Sequence, residues 1–511
     1  MQALPDWLTP LPDAEAMRAT DRWAIERQGV ASLDLMERAG AGVARAVEVH
    51  APDGPAAVVC GKGNNGGDGL VVARLLREAG WQVTVVCVAP VQELSGDARA
   101  NLDRLAGDAP VSLEQGTEAI AQATVLVDAL LGTGFAGEPH GAVAAAIDAL
   151  NDSAAPVVAI DVPSGVDAST GVVSGPAVRA AVTVTFHAAK PGLWINPGKS
   201  HAGEVHAIDI GIPRGAPQDA TIGLIGSGVR ELLPRRGAAS TKFASGQVVV
   251  AGGSRGLTGA PQMAARASMR AGAGYVIACI PRSLQDTIAG AGTPELMTRG
   301  LAEQDGGLAH DAVADVLASI RPGGALALGP GLGRSDGSVA FARELAAAAQ
   351  APMVLDADGL NAHAGRLREL AGRAHPTILT PHAGELARLL ELDSKDIERE
   401  RLRHARAAAE QSEAVVVLKG DDTLVAHPDG RVAVSRGGSP ALATAGTGDV
   451  LTGVLAALLA QGLDPFEAAC AGVWLHASAG REAARRQGAV EGVIATDVIE
   501  ALPAAREEPG L

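Results

Sequence analysis

Short, continuous apolar runs recur along the first half of the chain, at residues 56–60, 83–88, 125–128, 157–161, 182–186 and 205–210. Runs of this length are too short for helices. Their lack of polar alternation predicts strands buried on both faces. Between the early runs the apolar spacing turns helical, over 33–50, 70–79 and 142–150, and another helix starts at Ala14. Strand–helix alternation of this kind predicts a parallel sheet covered by helices on both sides. The turn-rich stretch Gly211-Ile212-Pro213-Arg214-Gly215-Ala216-Pro217 then interrupts the pattern, and a linker is expected over 212–235. Strands resume at 247–251, 275–280, 325–328, 353–356, 377–379, 414–418 and 432–435, and helices dominate from 449 onward. No short internal repeat occurs. The expected organisation is two α/β domains, 1–220 and 221–511.

Composition sharpens this picture. Aromatic residues are only 2% of 511 residues while hydrophobic residues are 47%, so the cores must be built from Ala, Val, Leu and Ile. The 64 glycines and 29 prolines are scattered between apolar runs, which argues for tight turns rather than disorder. A net charge of −16 argues against a general nucleic-acid binder, although placed main-chain N–H groups can still hold an anionic ligand. The four cysteines, Cys60, Cys87, Cys279 and Cys470, show no zinc spacing, and two lie inside apparent strands. That usage fits a reduced cytoplasm. Met1 to Pro12 lack the basic-then-apolar pattern of a signal peptide, and no charge-free apolar run reaches membrane-spanning length.

The first candidate chemistry lies in Gly61-Lys62-Gly63-Asn64-Asn65-Gly66-Gly67-Asp68-Gly69, between a predicted strand and helix. Glycines let main chain approach a phosphate, and a helix N-terminus offers unpaired N–H groups. Further loops follow strands at Asp128-Ala129-Leu130-Leu131-Gly132-Thr133-Gly134, Asp161-Val162-Pro163-Ser164-Gly165 and His187-Ala188-Ala189-Lys190. In a parallel sheet these loops share one edge, so Asp128 and Asp161 should converge there. One carboxylate with Asn and Ser oxygens suits a hard cation, and another could shuttle a proton. Lys190 could screen phosphates.

The first three of these four stretches, in this order, resemble the NAD(P)H-hydrate epimerase family, over about residues 10–215. The resemblance implies a Rossmann-like three-layer αβα domain that interconverts the two epimers of hydrated NADH and NADPH. It implies that Asn64, Asn65, Gly66, Gly67 and Asp68 hold substrate with the loop Gly132, Thr133, Gly134, Phe135, Ala136, Gly137 and Glu138. It also implies that Asp161 is the acid/base at the hydrated carbon and that Asn65, Asp128 and Ser164 bind potassium. Epimerisation could proceed through ring opening or through loss and return of water.

The second candidate is Thr444-Ala445-Gly446-Thr447-Gly448-Asp449, which opens a helix, with Lys419-Gly420-Asp421-Asp422-Thr423 ending a strand. The N–H groups of such a turn converge into an anion hole, and Asp449 is placed to take a proton from an attacking hydroxyl. Loops at Gly329-Pro330-Gly331-Leu332-Gly333, Asp356-Ala357-Asp358-Gly359-Leu360-Asn361 and Thr380-Pro381-His382-Ala383-Gly384-Glu385 should join the same face. This set, with Gly-Gly-Ser at 252–254, Thr258-Gly259-Ala260 and Pro294-Glu295-Leu296-Met297, is similar to the ribokinase-like superfamily. Within it the set resembles the ADP- or ATP-dependent NAD(P)H-hydrate dehydratases over about 225–505. The resemblance implies that Ala260, Gly331, His382 and Asp449 contact the hydrate. Lys419, Gly420, Asp421, Asp422, Thr423, Gly446, Thr447 and Gly448 would hold the nucleotide. Family members often carry His-Lys-Gly where this chain has Thr241-Lys242-Phe243.

Together the resemblances imply a bifunctional repair enzyme. One domain would epimerise NADH and NADPH hydrates (NADHX and NADPHX). The other would dehydrate the S form at the expense of ADP, with Mg²⁺, and the epimerase would use K⁺. A homo-oligomer, by analogy a tetramer, is expected, with no nucleic-acid or membrane partner. Two alternatives stay open: a small-molecule kinase of the hydroxyethylthiazole or hydroxymethylpyrimidine type, and a non-catalytic nucleotide sensor.

Overall fold

The computed structural model describes residues 3–51, 53–217, 219–291 and 293–507. The chain divides into two compact units, one formed by Pro10–Ile222 and the other by the residues before Pro10 together with those from Gly223 onward.

In the first unit seven strands form one sheet in the order Val111–Ser112, Val83–Cys87, Ala56–Cys60, Val125–Ala129, Val157–Ile160, Val182–Phe186, Glu204–Ile208, and every pair is parallel. Numbered by appearance within this sheet, that is the 3-2-1-4-5-6 order of a Rossmann sheet with one strand added. Alternate strand residues face opposite helix layers. Val58 and Cys60 join Val43, Val47, Leu70 and Leu76 on one face, whereas Ala57 and Val59 join Ile120, Ile147 and Leu150 on the other. Because both faces are covered, the inner strands read as unbroken apolar runs. The strand order reverses between Ala56–Cys60 and Val125–Ala129, which opens a crevice at their C-terminal ends.

The second unit holds an 11-stranded sheet. The strands Met297–Leu301, Tyr275–Pro281, Gln247–Ala251, Ala325–Leu328, Met353–Leu355, Thr377–Leu379 and Val415–Leu418 are parallel neighbours in that order. The antiparallel pair Leu424–Ala426 and Val432–Val434 follows, and then Ile222–Ile225 and Leu8–Pro10 complete the edge. The helices Gly259–Arg270, Thr447–Ala460, Pro465–Gln487 and Ala495–Ala505 pack on one face over Val248, Val250, Ala327, Val354 and Val417.

Several elements depart from the sequence expectation. The stretch expected as a linker contains the strand Ile222–Ile225 and a short 3₁₀ helix, Ser227–Leu232. Ile222, Leu224 and Ile225 are buried, so the segment is held by packing despite its turn-rich approach. The N-terminal strand Leu8–Pro10 was not signalled, and neither were Val111–Ser112, Met297–Leu301 and Leu424–Ala426. The helix expected from residue 70 begins at Asn64, inside the glycine motif, and the helix that the 444–449 motif was expected to open begins at Thr447. All four cysteines are free and buried, three of them in strands and Cys470 in the helix Pro465–Gln487. Among the described residues no helix is long and apolar enough to cross a membrane.

Two candidate active sites

In the first unit a cavity of about 760 Å³ opens at the strand-order reversal. It is lined by Asn64, Asn65, Asp68, Gly132, Thr133, Gly134, Phe135, Asp161 and Lys190, so most of the expected cradle converges. The remaining residues do other work. A Cβ on Gly66 would strike the Gly61 carbonyl oxygen, and one on Gly67 would sit 2.9 Å from the Met36 sulfur. Both glycines therefore let the helix lie against its neighbours and are absent from the lining. Ala136, Gly137 and Glu138 are exposed beyond it.

Asp161 carries the most constrained carboxylate. Its backbone is left-handed at φ 66°, held by an N–H bond to the Val184 carbonyl at 2.8 Å. The Lys190 ammonium donates to Asp161 Oδ1 at 2.6 Å, to Thr185 Oγ1 at 2.8 Å and to the Phe186 carbonyl at 3.1 Å. Thr133 donates to Oδ2 through its N–H at 3.0 Å and through its hydroxyl. Burial alone would raise the Asp161 pKa, but the Lys190 charge and these hydrogen bonds bring it below the usual carboxylate range. Lys190 is itself 1% exposed, and all three of its N–H donors are committed within the protein. Its expected role in screening phosphates is thus replaced by orienting Asp161.

Beneath the cavity Asp128 is fully buried. It accepts from the Ser164 N–H at 2.8 Å, the Ser164 hydroxyl at 2.6 Å and the Leu130 N–H at 3.2 Å. Burial pushes its pKa up to about 6 against those hydrogen bonds. Asn65 donates to the Leu131 carbonyl at 3.0 Å, and the Ser164 hydroxyl lies 3.3 Å from the same oxygen. The Asn65 amide, the Asp128 carboxylate, the Ser164 hydroxyl and the Leu131 carbonyl thus gather in one place with a single carboxylate among them, a polar set that suits a hard monovalent cation. Met17, Arg18 and Asp21, which line the cavity from the helix Ala14–Arg22, were not expected from sequence. As a sequence that helix is an ordinary amphipathic one.

In the second unit the functional loops again follow the C-terminal ends of parallel strands. Gly331, at φ 63°, packs against the helix Gly259–Arg270, where a Cβ would lie 3.1 Å from the Ala260 Cβ. His382 caps the helix Ala383–Leu390. Its Nδ1 accepts from the Gly384 N–H at 3.0 Å and the Glu385 N–H at 3.2 Å, so the neutral ring carries its proton on Nε2. Burial and the cations Lys419 and Arg388 lower the His382 pKa, against the opposing pull of Glu385. Asp356 is buried and bonded to Thr380 at 2.7 Å, Thr452 at 2.7 Å and Lys419 at 3.0 Å. Burial alone would raise its pKa, but Lys419 and the two hydroxyls hold it below the usual range.

Asp449 lies in the first turn of Thr447–Ala460, whose N-cap Gly446 sits at φ 92° with no side-chain cap. The N–H groups of this turn are free to meet an anion. Burial, then the Asp356 carboxylate, push the Asp449 pKa up to about 7, and Lys419 opposes them. A second cavity, of about 520 Å³, is lined by Lys419, Gly420, Asp421, Thr423, Thr447 and Gly448, together with Ser435, Ser439, Leu442, Leu451 and His476. Its mixed polar and apolar lining suits phosphates and a planar base. Asp422 turns away from it: 1% exposed, it accepts from Arg401 Nε at 2.9 Å, because two buried charges must pair. Gly446 and Asp449 stand outside the lining. His476 was missed, since a lone histidine in an apolar helix reads as core. Burial lowers its pKa to about 4, and its Nε2 lacks a partner among the described residues. Lys242 lies over the rings of Phe243 and Tyr275, at 5.2 and 6.0 Å from their centroids.

Comparison with known proteins matches each unit separately. Residues 32–192 match a family described as "YjeF-related protein N-terminus", and residues 248–504 match one described as "NAD(P)H-hydrate dehydratase". The bifunctional NAD(P)H-hydrate repair enzyme Nnr of Moorella thermoacetica is 42% identical, with 96% of each chain covered. The enzyme of the same name from Salinibacter ruber is also 42% identical, covering 97% of this chain and 95% of its own. Among solved structures, the ADP/ATP-dependent NAD(P)H-hydrate dehydratase from Bacillus subtilis co-crystallized with ATP/Mg²⁺ is 31% identical. It covers 55% of this chain and 96% of its own, with a TM-score of 0.48. Since the likeness to the repair enzymes runs through both units over nearly the whole length, the chain belongs to the family of bifunctional NAD(P)H-hydrate repair enzymes.

Proposed function

We propose that the first unit interconverts the R and S epimers of NADH and NADPH hydrates, and that the second returns the S form to the reduced dinucleotide at the expense of ADP. The observation that carries this reading is the pair of differently tuned carboxylates. Asp161 is held ionised beside a cavity large enough for part of a dinucleotide. Asp449 is poised near neutrality at an uncapped helix N-terminus. A base with a pKa near the working pH suits proton removal from a hydroxyl.

In the second unit the substrate hydroxyl would attack the β-phosphoryl group of ADP. Asp449 would take the hydroxyl proton, and the N–H groups of Thr447 and Gly448 would steady the charge on the transferred group. Phosphate then departs with the C–O electron pair, more readily than hydroxide could, and the neighbouring ring carbon loses a proton to water as the C=C bond forms, leaving AMP, phosphate and the restored dihydropyridine. Lys419 reaches the same place: a Cβ on Gly448 would lie 3.7 Å from its ammonium. Mg²⁺ is expected to accompany the nucleotide and neutralise its phosphates. In the first unit Asn65, Asp128 and Ser164 would hold K⁺, which would supply positive charge beneath the cavity.

The test is to mix the protein with an R/S hydrate mixture, ADP, Mg²⁺ and K⁺ and follow the near-ultraviolet absorbance of reduced nicotinamide. Complete recovery is expected. Recovery of the S fraction alone would remove the epimerase, and no recovery with ADP or ATP would favour a kinase that releases a stable phosphorylated product. Replacing K⁺ by Na⁺ should slow epimerisation and leave dehydration of pure S hydrate unchanged. A homo-oligomer in a reducing cytoplasm is the expected setting, checked by light scattering of the purified chain.

A further inference from the structure

We propose that Asp68 is the second catalytic carboxyl of the epimerase, a proton donor working opposite Asp161 across the same cavity. This rests on the epimerase reading above.

Asp68 lies in the first turns of the helix Asn64–Glu78, is 8% exposed and lines the cavity with Asp161. Among the described residues no group donates a hydrogen bond to it and no cation pairs with it. Asp161, by contrast, receives bonds from Lys190, Thr133 and Thr185. The charges acting on Asp68 come from Asp161, from Asp21 on the helix Ala14–Arg22 and from Asp97 on the helix Gly96–Arg104. The cations of the cavity wall are Arg18, Lys62 and Lys190, and Lys190 is committed to Asp161. Burial first, then these three carboxylates, raise the Asp68 pKa well above the ordinary range, while that of Asp161 is lowered. Two carboxyls whose surroundings drive them apart divide into an acid and a base. The strands leading to them, Ala56–Cys60 and Val157–Ile160, are separated by one strand, roughly 10 Å across the sheet.

The step balances without an external reagent. Protonated Asp68 gives its proton to the hydroxyl on the hydrated ring carbon. The C–O bond breaks with its electron pair on oxygen, water leaves, and the adjacent ring nitrogen closes a C=N bond with its lone pair. A water molecule then attacks the other face of that carbon, the C=N pair returns to nitrogen, and Asp161 takes the proton of the attacking water. One proton has moved from Asp68 to Asp161, and that state runs the reaction in the opposite direction. This selects loss and return of water over ring opening.

The test is epimerisation kinetics of the full chain on single-epimer hydrate, for wild type, Asp68→Asn and Asp68→Glu, as a function of pH. Wild-type turnover should fall toward high pH as Asp68 loses its proton. Asp68→Asn should lower kcat by about 10²–10⁴-fold with KM within about threefold, and its residual rate should lack the alkaline fall. Asp68→Glu should recover at least about tenfold and regain that fall. A kcat for Asp68→Asn within about threefold of wild type, or a loss confined to KM, would overturn the proposal. So would failure of Asp68→Glu to recover any of the rate, which would mark the residue as structural. Absence of epimerisation in the wild type itself would instead sink the underlying epimerase reading.

Discussion

Single residues carry the chemistry here through their surroundings more than through their identity. Asp128, Asp161, Asp356 and Asp449 are four aspartates near strand ends or a helix start, and as letters they are equivalent. Their partners separate them: Lys190 and Thr133 hold Asp161 ionised, Lys419 and two hydroxyls hold Asp356 ionised, and Asp449 is left near neutrality. The sign for Asp449 follows from its raised pKa. It is protonated below about 7 and becomes a base above it, so dehydration kcat/KM should rise with pH through that value and level off. The measurement is a pH–rate profile on pure S hydrate, and a profile flat from pH 5 to 9 would exclude the assignment (roughly the window in which such a base titrates). Asp449→Asn should lose about 10²–10⁴-fold in dehydration while epimerisation persists, and Asp161→Asn should do the reverse. Lys190→Met would strand a buried carboxylate. It should cost about 3–5 kcal/mol in urea unfolding of the first unit and move the acid limb of epimerisation upward in pH. An unchanged acid limb would show that Lys190 does not set the Asp161 charge.

At the scale of the element, the glycine-rich motif turned out to be the first two turns of a helix rather than a loop before one. Glycine is poor in a helix interior by propensity, and that preference places the helix start too late. Packing overrides it. The helix lies so close to the sheet that a Cβ on Gly69 would come 2.5 Å from the Ala129 Cβ, and one on Gly66 would enter the Gly61 carbonyl. Gly66→Ala should therefore destabilise the first unit by about 1–3 kcal/mol even though alanine is the better helix former. A stability gain on urea unfolding would contradict the close packing. Most of the strands that were legible are buried on both faces, the exposed edge strand Glu204–Ile208 being an exception. Val111–Ser112 was not legible, since two residues carry no periodicity and owe their extended form to the neighbour they pair with.

For the whole molecule, the two units are not consecutive along the chain. Residues before Pro10 belong with those after Gly223, so the first unit is an insertion within the second. Leu8 is 2% exposed and sits in the same core as Ile225, Val229 and Val417, while Trp7 lies 6.3 Å from the Phe466 ring. A chain starting at Pro10 should lose this edge strand and the burial of Leu8, worth roughly 1.5–3 kcal/mol for that side chain alone. Its dehydratase activity should then fail at a lower temperature than that of the full chain, while epimerase activity holds. Equal thermal inactivation of both would show the N-terminal strand to be dispensable.

The sequence by itself determined the α/β class of both halves, the parallel sheet of the first and the motifs at the strand ends, because continuous apolar runs and glycine-rich strand ends are local signals. It could not show that Asp422 pairs inward with Arg401, that Lys190 serves Asp161, or that Asp21 reaches the cavity from an unremarkable helix. It did not show either that the N-terminal strand completes the second sheet. Each of these depends on residues far apart in the chain meeting across a packed interior. There, burial decides which charges must be paired and which carboxyl keeps its proton, and no window of sequence contains both partners.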